Sequence, residues 1–273
     1  MPAERRDTFY RRTQLFRVDS KYGKDIKIRL PDGSIHSLPA TGADGRTHRR
    51  LRVARSLLDQ ENRLLFSAAG HSDSTPRRER GSAWLVPTHG ISIVSDIDDT
   101  IKDSGVLDRK TLLRNTFLND FKPVAGMAGW YSRLRAHDQN VAFHYLSSSP
   151  IQLYPPLQDF LEKWEFPGGT IHLRESTSWR TVIATRNASQ AHKRRVLMKL
   201  LTDFPERHFI LIGDSGEADP EIYAEFARSH PKQITAIFIR DITGENAQSQ
   251  RYRQTFSGIS NEIWHVFREA PSF

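Results

Sequence analysis

The sequence predicts an α/β protein: a doubly wound parallel sheet preceded by a small β-rich domain. Two patterns support this fold class. From Ile91 onward, short apolar runs alternate with segments of helical spacing, whereas residues 13–88 contain short alternating segments separated by turn clusters. With 273 residues, 37% of them hydrophobic, and a mean hydropathy of −0.57, the chain is polar but large enough to bury a core.

Residues 13–88 are predicted to form the β-rich domain, which we expect to be sandwich-like. The tetrapeptide PDGS at 31–34 favours a tight hairpin, because Asp-Gly suits such turns. Residues 1–12 are expected to form a poorly ordered charged arm, and 87–90 a linker. The predicted strands of this part are 15–18, 25–30, 34–38, 62–70 and 82–87, with a polar loop at 71–82.

Residues 91–270 are predicted to form the second domain, on five buried parallel strands joined by helices. The first strand, ISIVSD at 91–96, is largely apolar and β-branched. The predicted strands are 91–96, 141–149, 169–176, 208–214 and 233–242. The predicted helices are 109–120, 127–138, 150–166, 190–203 and 217–229.

Polar side chains follow these strands where each one ends. Asp96 and Asp98 lie two residues apart and so share a face, Ser147 lies near the end of the second strand, and Asp214 ends the fourth, with Asp219 shortly after it. Ligands of such sheets bind beyond the carboxyl ends of the strands. Crowded carboxylates repel one another, so we expect a divalent cation there. Taken alone, Asp96, Asp98 and Asp99 could instead form an acidic turn that caps a helix. Lys193, on a predicted helix, could simply be solvated.

The net charge of +8 is carried by the first third of the chain. Residues 1–90 contain 18 Lys and Arg against 10 Asp and Glu, and the remainder is neutral. A basic front part suits an anionic partner, such as nucleic acid, acidic lipid or an acidic protein, although it could merely aid solubility. There is no cysteine, no apolar leader and no run long enough to span a bilayer. We therefore expect a cytoplasmic protein with at most peripheral membrane contact.

Four motifs in order carry a resemblance to the haloacid-dehalogenase phosphatase superfamily. They are SDIDDTIKDSGV (95–106), YLSSSPIQLYP (145–155), HKRRVLMKLLTDFP (192–205) and GDSGEADPEIY (213–223). Within that superfamily the chain most resembles the App1-type family of Mg²⁺-dependent phosphatidate phosphatases. The resemblance implies a haloacid-dehalogenase-like fold and Mg²⁺ as the cofactor.

The resemblance also implies roles for the acids. Asp96 is the nucleophile that forms an aspartyl-phosphate, and Asp98 is the general acid and then the general base. Asp96, Asp214 and the main-chain carbonyl of Asp98 hold the metal, with support from Asp219. Neighbouring carboxylates are expected to raise the pKa of Asp98. Thr100 is expected to stabilise the turn or to cap a helix.

Three further assignments concern the phosphate. The resemblance places Ser147 and Lys193 in catalysis and, with Ser148, in substrate binding: the hydroxyls donate to phosphoryl oxygens and the ammonium group neutralises charge between Asp96 and the phosphate. Only about 40 residues separate successive motifs, which leaves no room for a large cap domain and favours an open site and a bulky substrate. Four aromatic residues could touch lipid, although core packing is the expected use: Trp130, Trp164, Phe166 and Trp179.

Three functions are compatible with these residues. The first is a peripheral enzyme that hydrolyses phosphatidate to diacylglycerol and phosphate, with the basic front part on anionic lipid. The second is the same chemistry on a nucleic-acid end or a phosphoprotein. The third is a non-catalytic scaffold that binds a protein partner through its β-rich domain; the complete set of motif residues argues against it.

Overall fold

The computed structural model describes residues 2–17, 20–69, 80–175 and 185–271. The chain divides into two compact units, one formed by the described residues of 16–86 and the other by those of 1–15 and 87–273. Of the helices within these ranges, none combines the length and apolarity that crossing a bilayer requires.

The smaller unit contains a four-stranded antiparallel sheet in the order β2-β1-β3-β4. The predicted hairpin is confirmed: β1 pairs with β2, and Gly33 takes the positive φ of 81° that the turn requires. The strand predicted at 15–18 is wrong over its described residues, which follow a helix instead, and most of the predicted polar loop lies outside the described residues. The strands are β1 (Lys27–Arg29), β2 (Ile35–Ser37), β3 (Arg63–Ala68) and β4 (Arg80–Trp84).

The larger unit confirms the α/β fold class. Its sheet has six parallel strands in the order β10-β9-β8-β5-β6-β7. The strands are β5 (Gly90–Asp96), β6 (Ala142–Pro150), β7 (Gly169–Arg174), β8 (Arg207–Asp214), β9 (Ile234–Arg240) and β10 (Trp264–Phe267). The helices are α1 (Ala3–Gln14), α2 (Arg109–Phe117), α3 (Met127–His137), α4 (Tyr154–Lys163), α5 (Arg186–Asp203), α6 (Asp219–Ser229) and α7 (Gln250–Thr255).

Three elements of this unit were not predicted: α1, α7 and β10. Residues 3–14 form α1 rather than a disordered arm, and Arg12 of this helix is buried. A sixth strand, β10, follows α7 and pairs with β9 at the edge of the sheet. The signal for β10 is weak because the strand has four residues and none of them is fully buried.

The strand order places a topological switch at the centre of the sheet. From β5 the chain adds β6 and β7 on one side, then crosses to the other side of β5 to form β8. The connections that leave the carboxyl ends of β5 and β8 therefore run to opposite sides and leave a crevice at this point, which is the usual ligand position in such sheets. Along β5, Val94 and Asp96 face the α5 and α6 side, whereas the Ser95 hydroxyl receives a hydrogen bond from Tyr131 of α3.

A buried polar chain crosses three strands of the sheet. The His144 Nδ1 lies 2.8 Å from the hydroxyl of Thr170, which also contacts His172 Nε2 at 2.8 Å. On the other side, Ser92 lies 3.3 Å from His144 Nε2. Burial lowers the pKa of His144 to about 3 and that of His172 to about 4.

These histidines make the fold sensitive to acid. Below its ordinary pKa, the His144 imidazole gains a proton in the unfolded chain but not in the folded one, so stability falls as the pH drops below 6.5. We expect His144 alone to cost about 1 kcal/mol of unfolding free energy between pH 7 and pH 5.5. Urea unfolding at both pH values measures this loss.

In this experiment the His144→Gln variant should lose about 1 kcal/mol less than the wild type between the two pH values. His208→Gln, which removes an exposed histidine of the same sheet, is the matched control and should lose as much as the wild type. An equal loss in all three proteins would show that His144 does not carry the effect.

Candidate active site

Three aspartates meet in the crevice at the switch point. Asp96 ends β5, Asp214 ends the neighbouring strand β8, and Asp219 begins α6. One oxygen from each lies within 4.8 Å of the others, and all three side chains are buried. All three are predicted to hold the metal, and the structure brings them together.

Lys193 of α5 reaches into this cluster. Its ammonium nitrogen lies 2.7 Å from Asp96 Oδ1 and 2.5 Å from Asp219 Oδ1, and the side chain is only 1% exposed. It also contacts Glu217 Oε2 at 2.9 Å. Burial lowers the pKa of Lys193, but the three carboxylates outweigh burial and hold the pKa well above its ordinary value. The ammonium group therefore stays charged next to the predicted nucleophile.

The cluster has more negative than positive charge. The three aspartates and Glu217 place four carboxylates around one ammonium group in the part of the chain that the structure describes. Burial, reinforced by the neighbouring carboxylates, raises the pKa of Asp96 and of Asp214 well above the ordinary value. Another positive charge would allow all of these acids to be ionised together.

The donor set fits a hard divalent cation. Asp214 Oδ2 accepts a hydrogen bond from the Gly216 backbone at 2.6 Å, but its other oxygen, Oδ1, is buried without a hydrogen-bond partner among the described residues. A buried carboxylate oxygen with no donor is costly unless a cation binds it. Carboxylate oxygens are the ligands that Mg²⁺ prefers, and it needs few of them because it keeps several waters.

Gly213 allows the two acids of the β8–α6 turn to approach each other. A Cβ atom at this position would lie 2.3 Å from Asp219 Oδ2 and 2.7 Å from Asp219 Cβ. With glycine there, Asp219 Oδ2 accepts a 3.4 Å hydrogen bond from the Asp214 backbone. The Gly-Asp pair at the end of β8 is therefore a packing requirement of the site.

Asp98 has partners of its own. Its Oδ1 lies 2.8 Å from the buried ammonium group of Lys102, and Ser104 donates to the same oxygen at 2.8 Å. Burial raises the pKa of Asp98, but Lys102 and the hydroxyl donors outweigh burial and lower the pKa to about 2. The expectation that neighbouring carboxylates raise this pKa is wrong because a lysine, rather than a carboxylate, is the nearest charged group.

Two of the three serines near the end of β6 connect to Asp98 rather than to Lys193. Ser147 donates to Asp98 Oδ2 at 2.8 Å and accepts from the Ser149 backbone at 2.9 Å, while the Ser149 hydroxyl donates to Asp98 Oδ2 at 3.3 Å. Ser148 shares a short hydrogen bond with Ser189 of α5. The structure thus brings Ser147, one of the two serines predicted to bind phosphate, to the predicted general acid Asp98, whereas Ser148 pairs with Ser189.

Two residues of this site were not predicted, and a third, Thr100, has a partner that the sequence does not indicate. Glu217 was not singled out, and Lys102 was not identified as the partner of Asp98. The spacing of four residues between Asp98 and Lys102 is the signal that could have indicated this pair. Thr100 donates to Asp96 Oδ2 at 3.1 Å, so it orients the predicted nucleophile. By contrast, the third acid, Asp99, accepts from the backbone of Ser104, Gly105 and Val106 and holds their loop.

A cavity of about 420 Å³ opens onto these residues. Asp98, Ser148, Lys193 and Glu217 line one part of it, and α2 lines another. Of the four aromatic residues considered for lipid contact, Trp130 and Phe166 are buried, as expected for core packing. Trp164 is 37% exposed, and Trp179 lies outside the described residues.

The fold and the site together define a doubly wound α/β protein with a buried acidic crevice at its switch point. The family model described as the catalytic domain of the phosphatidate phosphatase APP1 matches residues 91–241. This match covers more than half of the chain, and the chain therefore belongs to that family.

Two curated relatives are each similar over about two thirds of this chain. The phosphatidate phosphatase APP1 of Saccharomyces cerevisiae is 42% identical over 176 residues, which is 63% of this chain and 29% of the relative. An uncharacterized protein of Schizosaccharomyces pombe is 35% identical over 183 residues, which is 66% of this chain and 30% of the relative. The chain thus spans less than a third of the length of either relative.

A methyl group at Gly213 should disrupt the acid cluster. Because the new Cβ of Gly213→Ala would overlap Asp219, we expect the free energy of unfolding to fall by about 1–3 kcal/mol. Gly129→Ala is the control: this exposed residue of α3 has its nearest contact at 3.7 Å, and alanine there should raise stability by up to about 1 kcal/mol. Urea unfolding measures both changes, and unchanged stability in Gly213→Ala would contradict the packing argument.

Proposed function

We propose that this chain is a Mg²⁺-dependent phosphatidate phosphatase that acts through an aspartyl-phosphate on Asp96. The observation that carries the proposal is the buried pairing of Asp96 with Lys193 beside Asp214 and Asp219. Membership of the family and the activity named for the yeast relative support the choice of substrate. Asp98, with its hydroxyl partners, supplies the second carboxylate that such a reaction needs.

We assign the cation to the carboxylates of Asp96 and Asp214 and to the main-chain carbonyl of Asp98, with Asp219 in support. The unpartnered Oδ1 of Asp214 is the observation that favours this assignment. When bound, Mg²⁺ would neutralise negative charge on the phosphate and on the attacking carboxylate.

In the first step the Asp96 carboxylate attacks phosphorus. An Asp96 oxygen forms a bond to phosphorus, and the bond between phosphorus and the lipid alcohol oxygen breaks. Lys193, 2.7 Å from Asp96, offsets the repulsion between the carboxylate and the anionic phosphate. Thr100 holds the other Asp96 oxygen and limits rotation of the carboxylate.

Asp98 protonates the departing alkoxide and later removes a proton from the attacking water. A pKa of about 2 keeps Asp98 ionised before substrate binds, and the approach of an anionic phosphate favours its protonated form. In the second step water attacks phosphorus, the bond to Asp96 breaks and inorganic phosphate leaves. When the phosphate has left, the positive charge of Lys102 again favours the ionised form of Asp98, which releases its proton to solvent and takes one up from solvent when the next substrate binds.

Replacing the nucleophile tests this chemistry directly. We expect Asp96→Asn to lower turnover by roughly 10⁴-fold or more, because the amide keeps the shape but cannot attack phosphorus. Asp103→Asn, which changes an exposed acid of the following loop, is the matched control and should keep wild-type turnover. Phosphate release measures both, with circular dichroism to confirm folding, and normal turnover in Asp96→Asn would refute the assignment.

A phosphate-release screen tests substrate and cation together. We expect the fastest release from phosphatidate in micelles, with slower release from lysophosphatidate, a 5′-phosphorylated oligonucleotide and sugar phosphates. Ethylenediaminetetraacetate should stop the reaction and Mg²⁺ should restore it, because the acid cluster needs a cation. Undiminished activity after chelation would remove the metal from the proposal.

The other outcomes of the screen identify the alternatives. Release mainly from the oligonucleotide would favour a nucleic-acid end as substrate. The basic residues of 1–90 would then bind the phosphates of the nucleic acid. No release from any ester would favour a scaffold. Sedimentation with phosphatidate liposomes adds a test of binding, which anionic lipid and the basic front part should support.

A further inference from the structure

Helix α2 forms an apolar wall next to the acid cluster. Its N-terminus is capped by Asp108, whose carboxylate accepts from the Thr111 backbone at 2.9 Å. The structure describes every residue of this helix, and none is buried. Its apolar residues are therefore at most half-buried.

One face of α2 lines the cavity that contains Asp98 and Lys193. We call this the α2 face, and it consists of Arg109, Leu112, Leu113, Thr116 and Phe117. These positions follow the spacing i, i+3, i+4, i+7 and i+8, which places them on one side of a helix. Leu113 remains 37% exposed although it lines the cavity.

The cavity is apolar on more than one side. Val106, Pro150 and Leu153 face it along with the α2 face, whereas its polar lining includes Asp98, Lys193 and two serines near the end of β6. A ligand that fills it should carry an anionic phosphate at one end and an apolar body at the other. A sugar or a nucleoside would find few hydrogen-bonding groups on the apolar side.

The position of α2 is fixed by a buried arginine. The Arg12 guanidinium donates at 2.7 Å to the carbonyl oxygens of Thr116 and Asn119 and at 3.3 Å to that of Asn115. It also lies 3.9 Å from the centre of the Phe121 ring. Because α2 is anchored at its C-terminal end, the α2 face is already in position before a ligand binds.

The surroundings of the cavity suit an anionic lipid surface. Arg109 and Arg186 line it and are exposed, and Arg109 is followed by Lys110. Close by in the chain, Leu107 is 60% exposed and Ile151 is 37% exposed. Exposed apolar side chains beside basic ones are typical of surfaces that contact lipid headgroups.

We propose that the α2 face binds the glycerol backbone and the first methylene groups of the acyl chains of a phosphatidate molecule whose phosphate lies at Asp96. This inference rests on the proposed function and deepens it by naming the residues that select a lipid phosphate. A cavity of about 420 Å³ holds this part of the substrate, while the remaining chain length stays outside.

The test compares two substrates in each variant. One is dioctanoyl phosphatidate, which has acyl chains, and the other is p-nitrophenyl phosphate, which has none. We expect Leu113→Gln and Leu112→Gln each to lower the ratio of kcat/KM for the lipid to that for the compact ester by about tenfold, because less apolar surface is buried with substrate. The conservative variant Leu113→Met should keep most of the ratio.

Met198→Gln is the matched control, because Met198 is 46% exposed on α5 and does not line the cavity. Its ratio should equal that of the wild type. An unchanged ratio in both leucine variants would overturn the proposal. If kcat/KM fell by the same factor for both substrates, the ratio would also be unchanged, and these leucines would only support the fold. A wild-type protein that hydrolyses the compact ester but not the lipid would instead overturn the proposed function.

Discussion

The burial of Lys193 among carboxylates is the interaction on which the site depends. An ammonium group that is 1% exposed stays charged only because Asp96, Asp219 and Glu217 surround it. The same lysine offsets part of the repulsion that three aspartates impose on one another. Removing either partner would leave an uncompensated buried charge, so α5, the end of β5 and the start of α6 are constrained together.

The carboxylates at the site have two different electrostatic environments. Asp96 lies among other acids, and burial raises its pKa, whereas Asp98 lies beside Lys102 and several hydroxyl groups, and its pKa is lowered. The two acids are two residues apart in sequence, so the difference comes from their neighbours in space. Neighbouring acids in separate environments can therefore hold different protonation states at the same pH.

The local patterns of the sequence were sufficient for most of the larger unit. Apolar β-branched runs marked β5, β6, β8 and β9, and helical spacing marked α3 and α5, because one buried face imposes a period that can be read along the chain. The same patterns failed for α1 and β10. The charged sequence of α1 carries little apolar signal, and β10 is a short edge strand that is only partly buried.

The sequence by itself determined the α/β fold class and the acids that end β5 and β8, because strand periodicity and the short motifs are local properties. Only the tertiary structure decided which charges meet: Lys193 with Glu217, Lys102 with Asp98, and Thr100 with Asp96. Long-range pairing depends on the crossover that sets β8 beside β5 and on the depth of burial there. The spacing of residues along one segment encodes neither the crossover nor the depth of burial. The position of the α2 face next to the site depends on the same packing.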